Sequence, residues 1–338
     1  MYKRQTYGAC PSKMVRSMQK LTAEDVKKFA IEAGADLVGI ASIDRFEGAP
    51  PHLHPAKTIL PTAKSVVVVA KRIPRGCFRG NLEGTNFTTY TYYGYVLQQH
   101  RYYMHKLDYE VACFIERHGW EAVPNQTSGV HFRIAAFAAG LGQIGWHQLL
   151  LTPQFGPRQR FGLIVTEAEL EPDPLFEGKL CDPEDCGYRC VAECPNGAVP
   201  KTRKITVNVA GKTLEFSDLN LERCLPNCIA ITKHSPFMVK DLPGIDEVNP
   251  RWRGGMPLAF SLYAFSTNQV AIARGSPPPP TSGGIVDCYH MLYRQFALPF
   301  MVFRGSSGCM EACIEYLEEK GKIPRYKYLL RRREKWKL

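Results

Sequence analysis

Hydrophobic positions between Leu21 and Ala41 change period partway along. Val26, Phe29, Ala30 and Ala33 recur three and four apart behind Thr22-x-x-Asp25, and the series stops at Gly34. That spacing puts one apolar stripe on a helix opened by a capping pair and closed by a glycine. In DLVGIA, directly after it, and in KSVVVVAKRI at 64–73, polar alternation disappears. Short apolar runs rich in β-branched residues predict buried strands.

In YGYVLQQHRYYMHKLDYEVACFIERHGWEAVP, Tyr103, Leu107, Val111 and Phe114 share one helical face up to Gly119, and a short strand is predicted before Pro124. HFRIAAFAAGLGQIGWHQLLL reads as a further helical segment broken by its glycines, and RFGLIVTEAEL as a third strand. After Asp173-Pro174 the periodicity gives way to loops punctuated by cysteine, and RGSPPPPTSGG at 274–284 predicts an extended surface connector. No internal repeat stands out. The expected organisation is a tail at 1–20, an αβ domain at 21–176, a second module at 177–320 that returns to the core, and a basic tail at 321–338.

Composition narrows the class. A chain of 338 residues, 45% hydrophobic and 22% charged, suits a globular protein with one main domain and one insert. No apolar run approaches the roughly 18 residues of a membrane span, and the first twenty residues show neither an apolar leader core nor a twin arginine. The expectation is a cytoplasmic protein. Of the formal charge of +11, much sits in KIPRYKYLLRRREKWKL. A solvated basic tail is the plain explanation; attraction of nucleic acid or of an acidic electron donor is the functional one.

Twelve cysteines in a reducing compartment point to metal or redox use, and nine of them lie between Cys181 and Cys313. Cys10, Cys77 and Cys113 are scattered, and Cys113 falls in the helical stripe as a core residue. The run Cys181-x4-Cys186-x3-Cys190-x3-Cys194-Pro195 ends like a bacterial ferredoxin run, with its first two gaps wider. In such runs three thiolates face one iron cluster while the fourth, before proline, serves another. Zinc is the competing occupant of four thiols, but it more often draws on two separated Cys-x-x-Cys knuckles. Cys224, Cys228, Cys288, Cys309 and Cys313 follow, one more than two clusters need. The crossover logic assigns Cys181, Cys186, Cys190 and Cys313 to one cluster. Cys194, Cys224, Cys309 and either Cys228 or Cys288 go to the other. Two such clusters would take about 4 off the formal charge.

The segment AAFAAGLGQIGWHQLLLTPQFGPRQRFGLIVTEAELEPD at 135–173, followed by the cysteine run, resembles the cobalamin-dependent iron–sulfur reductases. These comprise the reductive dehalogenases and the epoxyqueuosine reductases that finish a tRNA base. The resemblance extends over roughly residues 20 to 320; AGLGQIG, LLLTPQFGPRQR, TEAELEPD and the Cys-Pro run are its most specific parts. It implies an α+β fold: a nitroreductase-like αβ sandwich around base-off cobalamin, and a ferredoxin-like module with two [4Fe-4S] clusters. The backbone at Gly140, Leu141 and Gly142 would then lie against the corrin or its tail, where glycine permits close approach.

The same resemblance implies a tyrosine proton donor ahead of the glycine motif and a basic partner. Counting back along FIERHGWEAVP places the donor at Tyr102, with Tyr103 one residue away; Tyr103 continues the Leu107 stripe and reads as core. Tyr90, Tyr92, Tyr93 and Tyr95 are further candidates, although an aromatic run of this kind more often forms wall or core. Arg160 matches the basic partner, with Arg158 beside it. The epoxyqueuosine reductases carry an aspartate where Gln126 stands here, and a carboxamide cannot replace an acid catalyst, though Asn125 and Gln126 can still line a pocket.

Three functions follow as expectations. The leading one is a reductase passing electrons from a soluble donor such as ferredoxin or flavodoxin, through two clusters, to cobalt, for cleavage of a carbon–halogen or related bond in a small molecule. The alternatives are reduction of epoxyqueuosine in tRNA, with RRREKWK on phosphates, and a non-catalytic electron-transfer or corrinoid-reactivating protein.

Overall fold

The computed structural model describes residues 21–51, 54–83, 89–90, 93–94, 103–125, 132–194, 197–220, 224 and 307–330. Helix α1 (Ala23–Glu32) opens with the capping box expected of Thr22 and Asp25, each side chain meeting the other's backbone N–H. Gly34 follows with φ 106°, and the chain turns into strand β1 (Leu37–Ser42). Strands β2 (Ser65–Arg72), β3 (Ala122–Asn125) and β6 (Gln159–Thr166) complete an antiparallel sheet in the order β1-β2-β6-β3.

The valine run of β2 explains why polar alternation is missing there. Val67 and Val69, with Ile40 and Ile164, face α1 and the long helix α4 (Tyr103–Glu116). Val66 and Val68, with Ala41 and Leu163, face the other way, onto α5 (Phe132–Ala138). Covering both faces removes every side chain of this strand's centre from water, at about 1.5–3 kcal/mol for each fully buried aliphatic side chain. Two short helices, α2 (Pro55–Thr58) and α3 (Gly76–Glu83), flank β2.

Several expectations change. The helical reading of 131–151 holds only to Ala138; beyond it the chain forms a small antiparallel ribbon of β4 (Gln143–Ile144) and β5 (Leu150–Leu151). An apolar run of this length serves a strand as readily as a helix, and Gly140, at φ 74°, ends the helix. Tyr103 is 38% exposed, because α4 turns Met104, Leu107, Asp108, Val111, Ala112 and Ile115 inward and leaves Tyr103 at the edge of that stripe. Cys113 is half-buried, the core position being its neighbour Ala112.

The second half contains an element absent from the sequence reading. Strands β7 (Lys204–Val209) and β8 (Lys212–Ser217) form a hairpin whose turn, Ala210-Gly211, has φ 53° and 69°. Two consecutive positive φ values match the type I′ turn that suits strand twist. Val209 and Phe216 from this hairpin join the core beneath α5. Helix α6 (Arg189–Ala192) lies in the cysteine run and packs on α7 (Ser307–Glu319). Past α7 the expected basic tail is docked as far as Leu330, which is buried like Ile323. Arg75 and Glu318 form a buried bidentate pair at 2.7 Å, and Arg75 also donates to the Tyr328 carbonyl. No helix among the described residues is long and apolar enough to cross a membrane.

Candidate functional site

The four-residue spacing of Cys309 and Cys313 puts both thiols on one face of α7, one turn apart. Opposite them, Gly187 and Tyr188 take successive left-handed conformations, φ 63° and 55°, and swing the chain into α6. Cys181, Cys186, Cys190 and Cys313 thereby line one recess of about 360 Å³, open mouth included, with Trp146, His147, Tyr188 and Tyr316. Among the described residues no three His, Cys, Asp or Glu side chains are arranged to hold a single metal ion; the four thiols stand on the walls of a wider space.

The thiols act on one another electrostatically. Burial first, then the neighbouring thiols of Cys181, Cys190 and Cys186, push the Cys313 thiol well up. Burial likewise raises Cys181 to about 11, although the Trp146 N–H, donating to its Sγ at 3.3 Å, acts in the other direction. Cys309 is raised by burial and then by Cys224 and Cys194. Cys181, Cys186, Cys190 and Cys313 thus share the recess, while Cys194 and Cys224 adjoin Cys309, which also acts on Cys190 and Cys313. Cys228 and Cys288 lie outside the described residues. Raised thiols crowded this way, as at Cys181, Cys190 and Cys313, suit a cationic occupant, which is what thiolate-ligated iron or zinc provides. A recess walled by four thiols and an N–H aimed at a sulfur fit an iron–sulfur cluster.

The AGLGQIG segment is joined to this recess. Gln143, in β4, accepts the backbone N–H groups of Leu180 at 2.7 Å and Cys181 at 2.9 Å through one side-chain oxygen. Trp146 follows with its N–H on Cys181 and its indole N–H on the Pro200 carbonyl. A Cβ on Gly142 would sit 1.9 Å from the Leu151 carbonyl oxygen, and one on Gly140 would sit 2.1 Å from that of Pro174. The close backbone approach these glycines allow is to the chain itself. The side chain of Leu141 packs against the core below α5. Gln143, Trp146 and His147 are absent from the sequence reading, which draws only Gly140, Leu141 and Gly142 from this segment; a polar side chain flanked by glycines within a motif is the available signal.

His147 is the buried polar ring of the recess. Burial, then the Arg133 guanidinium, hold it down at about 3, so it is neutral at physiological pH. Its Nδ1 accepts the Leu149 N–H at 3.1 Å.

The proposed proton-transfer residues are placed as follows. Arg160 is half-buried; its Nε donates to the Gly94 carbonyl at 2.9 Å and its Nη2 to the Tyr90 hydroxyl at 3.3 Å. Tyr90 is buried, tilted against Phe78, with its hydroxyl 3.9 Å from the sulfur of Met310, the residue after Cys309. Tyr103 lies under the Lys71 ammonium, 5.8 Å from its ring centre. Arg158 is buried, donates to the Ile73 carbonyl and the Tyr326 hydroxyl, and thereby ties the segment after α7 to the core. Tyr102 and Gln126 lie outside the described residues.

No family model matches the chain. Over 103 residues it is 34% identical to a tetrachloroethene reductive dehalogenase of Desulfitobacterium hafniense, a stretch covering 28% of this chain and 17% of that protein. Over 120 residues it is 37% identical to the tetrachloroethene reductive dehalogenase of Sulfurospirillum multivorans, covering 33% of this chain and 23% of that one. The matched stretch therefore spans less than a quarter of these relatives. Among solved structures, a B12-dependent reductive dehalogenase aligns with 61% of this chain and 28% of its own at a TM-score of 0.48 and 20% identity. The epoxyqueuosine reductase of Streptococcus thermophilus aligns with 88% of this chain and 81% of its own at a TM-score of 0.43 and 17% identity. The chain resembles the reductive dehalogenases, as its motifs led us to expect.

Proposed function

We propose that the chain is an oxidoreductase of the cobalamin-dependent, iron–sulfur type, with a nitroreductase-like core and a ferredoxin-like module, acting on a small molecule with a carbon–halogen or related bond. The observation that carries this reading is the gathering of Cys181, Cys186 and Cys190 from one run with Cys313 from a distant helix around one recess. Those four side chains would hold one [4Fe-4S] cluster; Cys194, Cys224 and Cys309, with Cys228 or Cys288, would hold a second. Clusters of this kind pass single electrons at low potential, and a corrinoid, implied by the resemblance, supplies a metal centre for reductive bond cleavage.

The chain's own residues supply the rest. Crowded, water-poor walls around the thiols favour a bound cluster over free thiolates. Arg160 holds the hydroxyl of Tyr90, and a guanidinium beside a phenol favours the phenolate left when the proton is given away. The pairing supports Tyr90 as the proton donor, with Tyr102 and Tyr103 as the competing assignments. Contact between Tyr90 and Met310 supports an order in which the Cys309 group lies nearer the reacting centre than the Cys181 group.

The test is anaerobic reconstitution with iron, sulfide and cobalamin, followed by metal analysis and EPR. About eight irons and one cobalt per chain are expected from two clusters and one corrinoid. Iron without cobalt would leave an electron-transfer protein, and zinc in place of iron would end the reading.

A further inference from the structure

The wall of the recess contains one buried side-chain polar atom without a hydrogen bond among the described residues. His147 is 4% exposed, and its Nδ1 is committed to the Leu149 N–H, so Nδ1 carries the lone pair and Nε2 carries the hydrogen. That Nε2 is buried and has no partner among the described residues. The Leu149 N–H ties the ring to its own turn, which is closed by the Gln148 N–H on the Gly145 carbonyl at 2.8 Å, with Gln148 at φ 66°. Gly145 leaves room for the ring, since a Cβ there would lie 2.9 Å from His147 Cε1. A buried donor without an acceptor is costly, and a donor fixed this way calls for an acceptor beyond the described residues.

His147 is among the residues that line the recess with Cys181, Cys186, Cys190 and Cys313. Its neighbour Trp146 already donates its backbone N–H to Cys181 Sγ. We infer that His147 is a second donor to sulfur, its Nε2–H reaching a sulfide or cysteinyl sulfur of the cluster bound by these four thiols and setting that cluster's reduction potential. The inference rests on the cluster reading above. His147 is a positioning residue and not a ligand: it leaves all four iron-binding places to cysteine. A hydrogen bond to a cluster sulfur stabilises the reduced form, which carries more negative charge, and so raises the potential. The Cys194, Cys224 and Cys309 group lies off this recess, so the effect is confined to one cluster.

The experiment compares the full-length reconstituted chain with His147→Phe, which keeps the ring and loses the donor, and His147→Gln, which keeps an N–H at comparable reach. Iron is counted, and both clusters are titrated electrochemically under EPR. His147→Phe is expected to keep its iron and to shift one midpoint downward by about tenfold in the oxidised-to-reduced ratio, about 59 mV for one electron. His147→Gln is expected to stay near the parent. An unmoved midpoint in His147→Phe, or an equal shift in both variants, overturns the inference while leaving the cluster reading intact. Parent protein without iron at the Cys181 group overturns the reading beneath it. Should His147→Phe lose its iron, the parent with ¹⁵N-labelled histidine decides by pulsed EPR: a weak nitrogen coupling is the expected signature of a hydrogen bond. No coupling, or the strong coupling of a directly bound nitrogen, refutes it.

Discussion

Replacing Gly142 with alanine is expected to damage the thiol recess without touching it. The added methyl would meet the Leu151 carbonyl oxygen at 1.9 Å, its carbon at 2.9 Å and Thr152 Cα at 3.2 Å, all backbone atoms. Ordinary carbon–oxygen contacts are about 3.3 Å, so the ribbon must open by roughly 1.4 Å. Gln143 pairs with Leu151 across that ribbon, and the same Gln143 fixes the backbone of Leu180 and Cys181. Overpacking costs about 1–3 kcal/mol, and losing Gln143's two hydrogen bonds adds about 1 kcal/mol each. The expected loss is about 3–5 kcal/mol of unfolding free energy, read by anaerobic denaturant titration of cofactor-free protein. Reconstituted protein should also hold less iron. Gly187→Ala is the control: its φ of 63° costs an alanine about 1–2 kcal/mol, and nothing lies within 4 Å of its added methyl. If Gly142→Ala unfolds like the parent and loses cobalt alone, the glycine serves the macrocycle and the packing argument is wrong.

Arg75→Ala is expected to cost about 3–5 kcal/mol, because it strands the buried Glu318 carboxylate; Arg75→Lys should not restore a bidentate pair. Limited proteolysis should then open the segment after α7, which Arg75 also holds at Tyr328. Burial raises the Asp108 carboxyl well above its ordinary value, so between the unfolded and folded values the folded chain holds one proton more and stability falls as pH rises. Asp108→Asn should therefore gain stability over the parent at pH 7, by about 1.4 kcal/mol per unit of separation, and lose that advantage towards pH 4, as urea titrations across that range would show. Cys313→Ser should remove about four irons by metal analysis, the content of one [4Fe-4S] cluster, whereas Cys113→Ser should remove none.

Local chemistry carried much of the architecture into the sequence. The Thr22/Asp25 capping box and the valines of β2 act within a few residues, so their patterns survive as printed text. Cys313 could be paired with the run around Cys190 because the run itself advertises a missing partner. The hairpin at 204–217 was hidden for a different reason. Its alternation is imperfect, since Ile205 is 38% exposed, and the surrounding cysteines drew the reading toward loop. The face of α4 was misread at Tyr103 because an aromatic three or four residues from leucine fits a stripe whether or not another element covers that end. Gln143, Trp146 and His147 were illegible as site residues because their roles depend on where β4 and β5 meet Leu180 and Cys181, a long-range fact. Arg160 matches the basic partner by position, but its contact with Tyr90 needs β6 and the turn of chain at 89–90 to be placed in space.

The return of α7 to the cysteine run has a topological consequence. Cys190 and Cys313 are about 120 residues apart in sequence, and a group bonded to both closes that span into a loop. Cross-linking a loop of this size removes chain entropy from the unfolded state worth about 5 kcal/mol, as for a long-range disulfide. An inorganic staple of this kind cannot be set until Cys313 has left the ribosome. On the proposed ligation, metal insertion would be a late event, completed only after the earlier segments have been made.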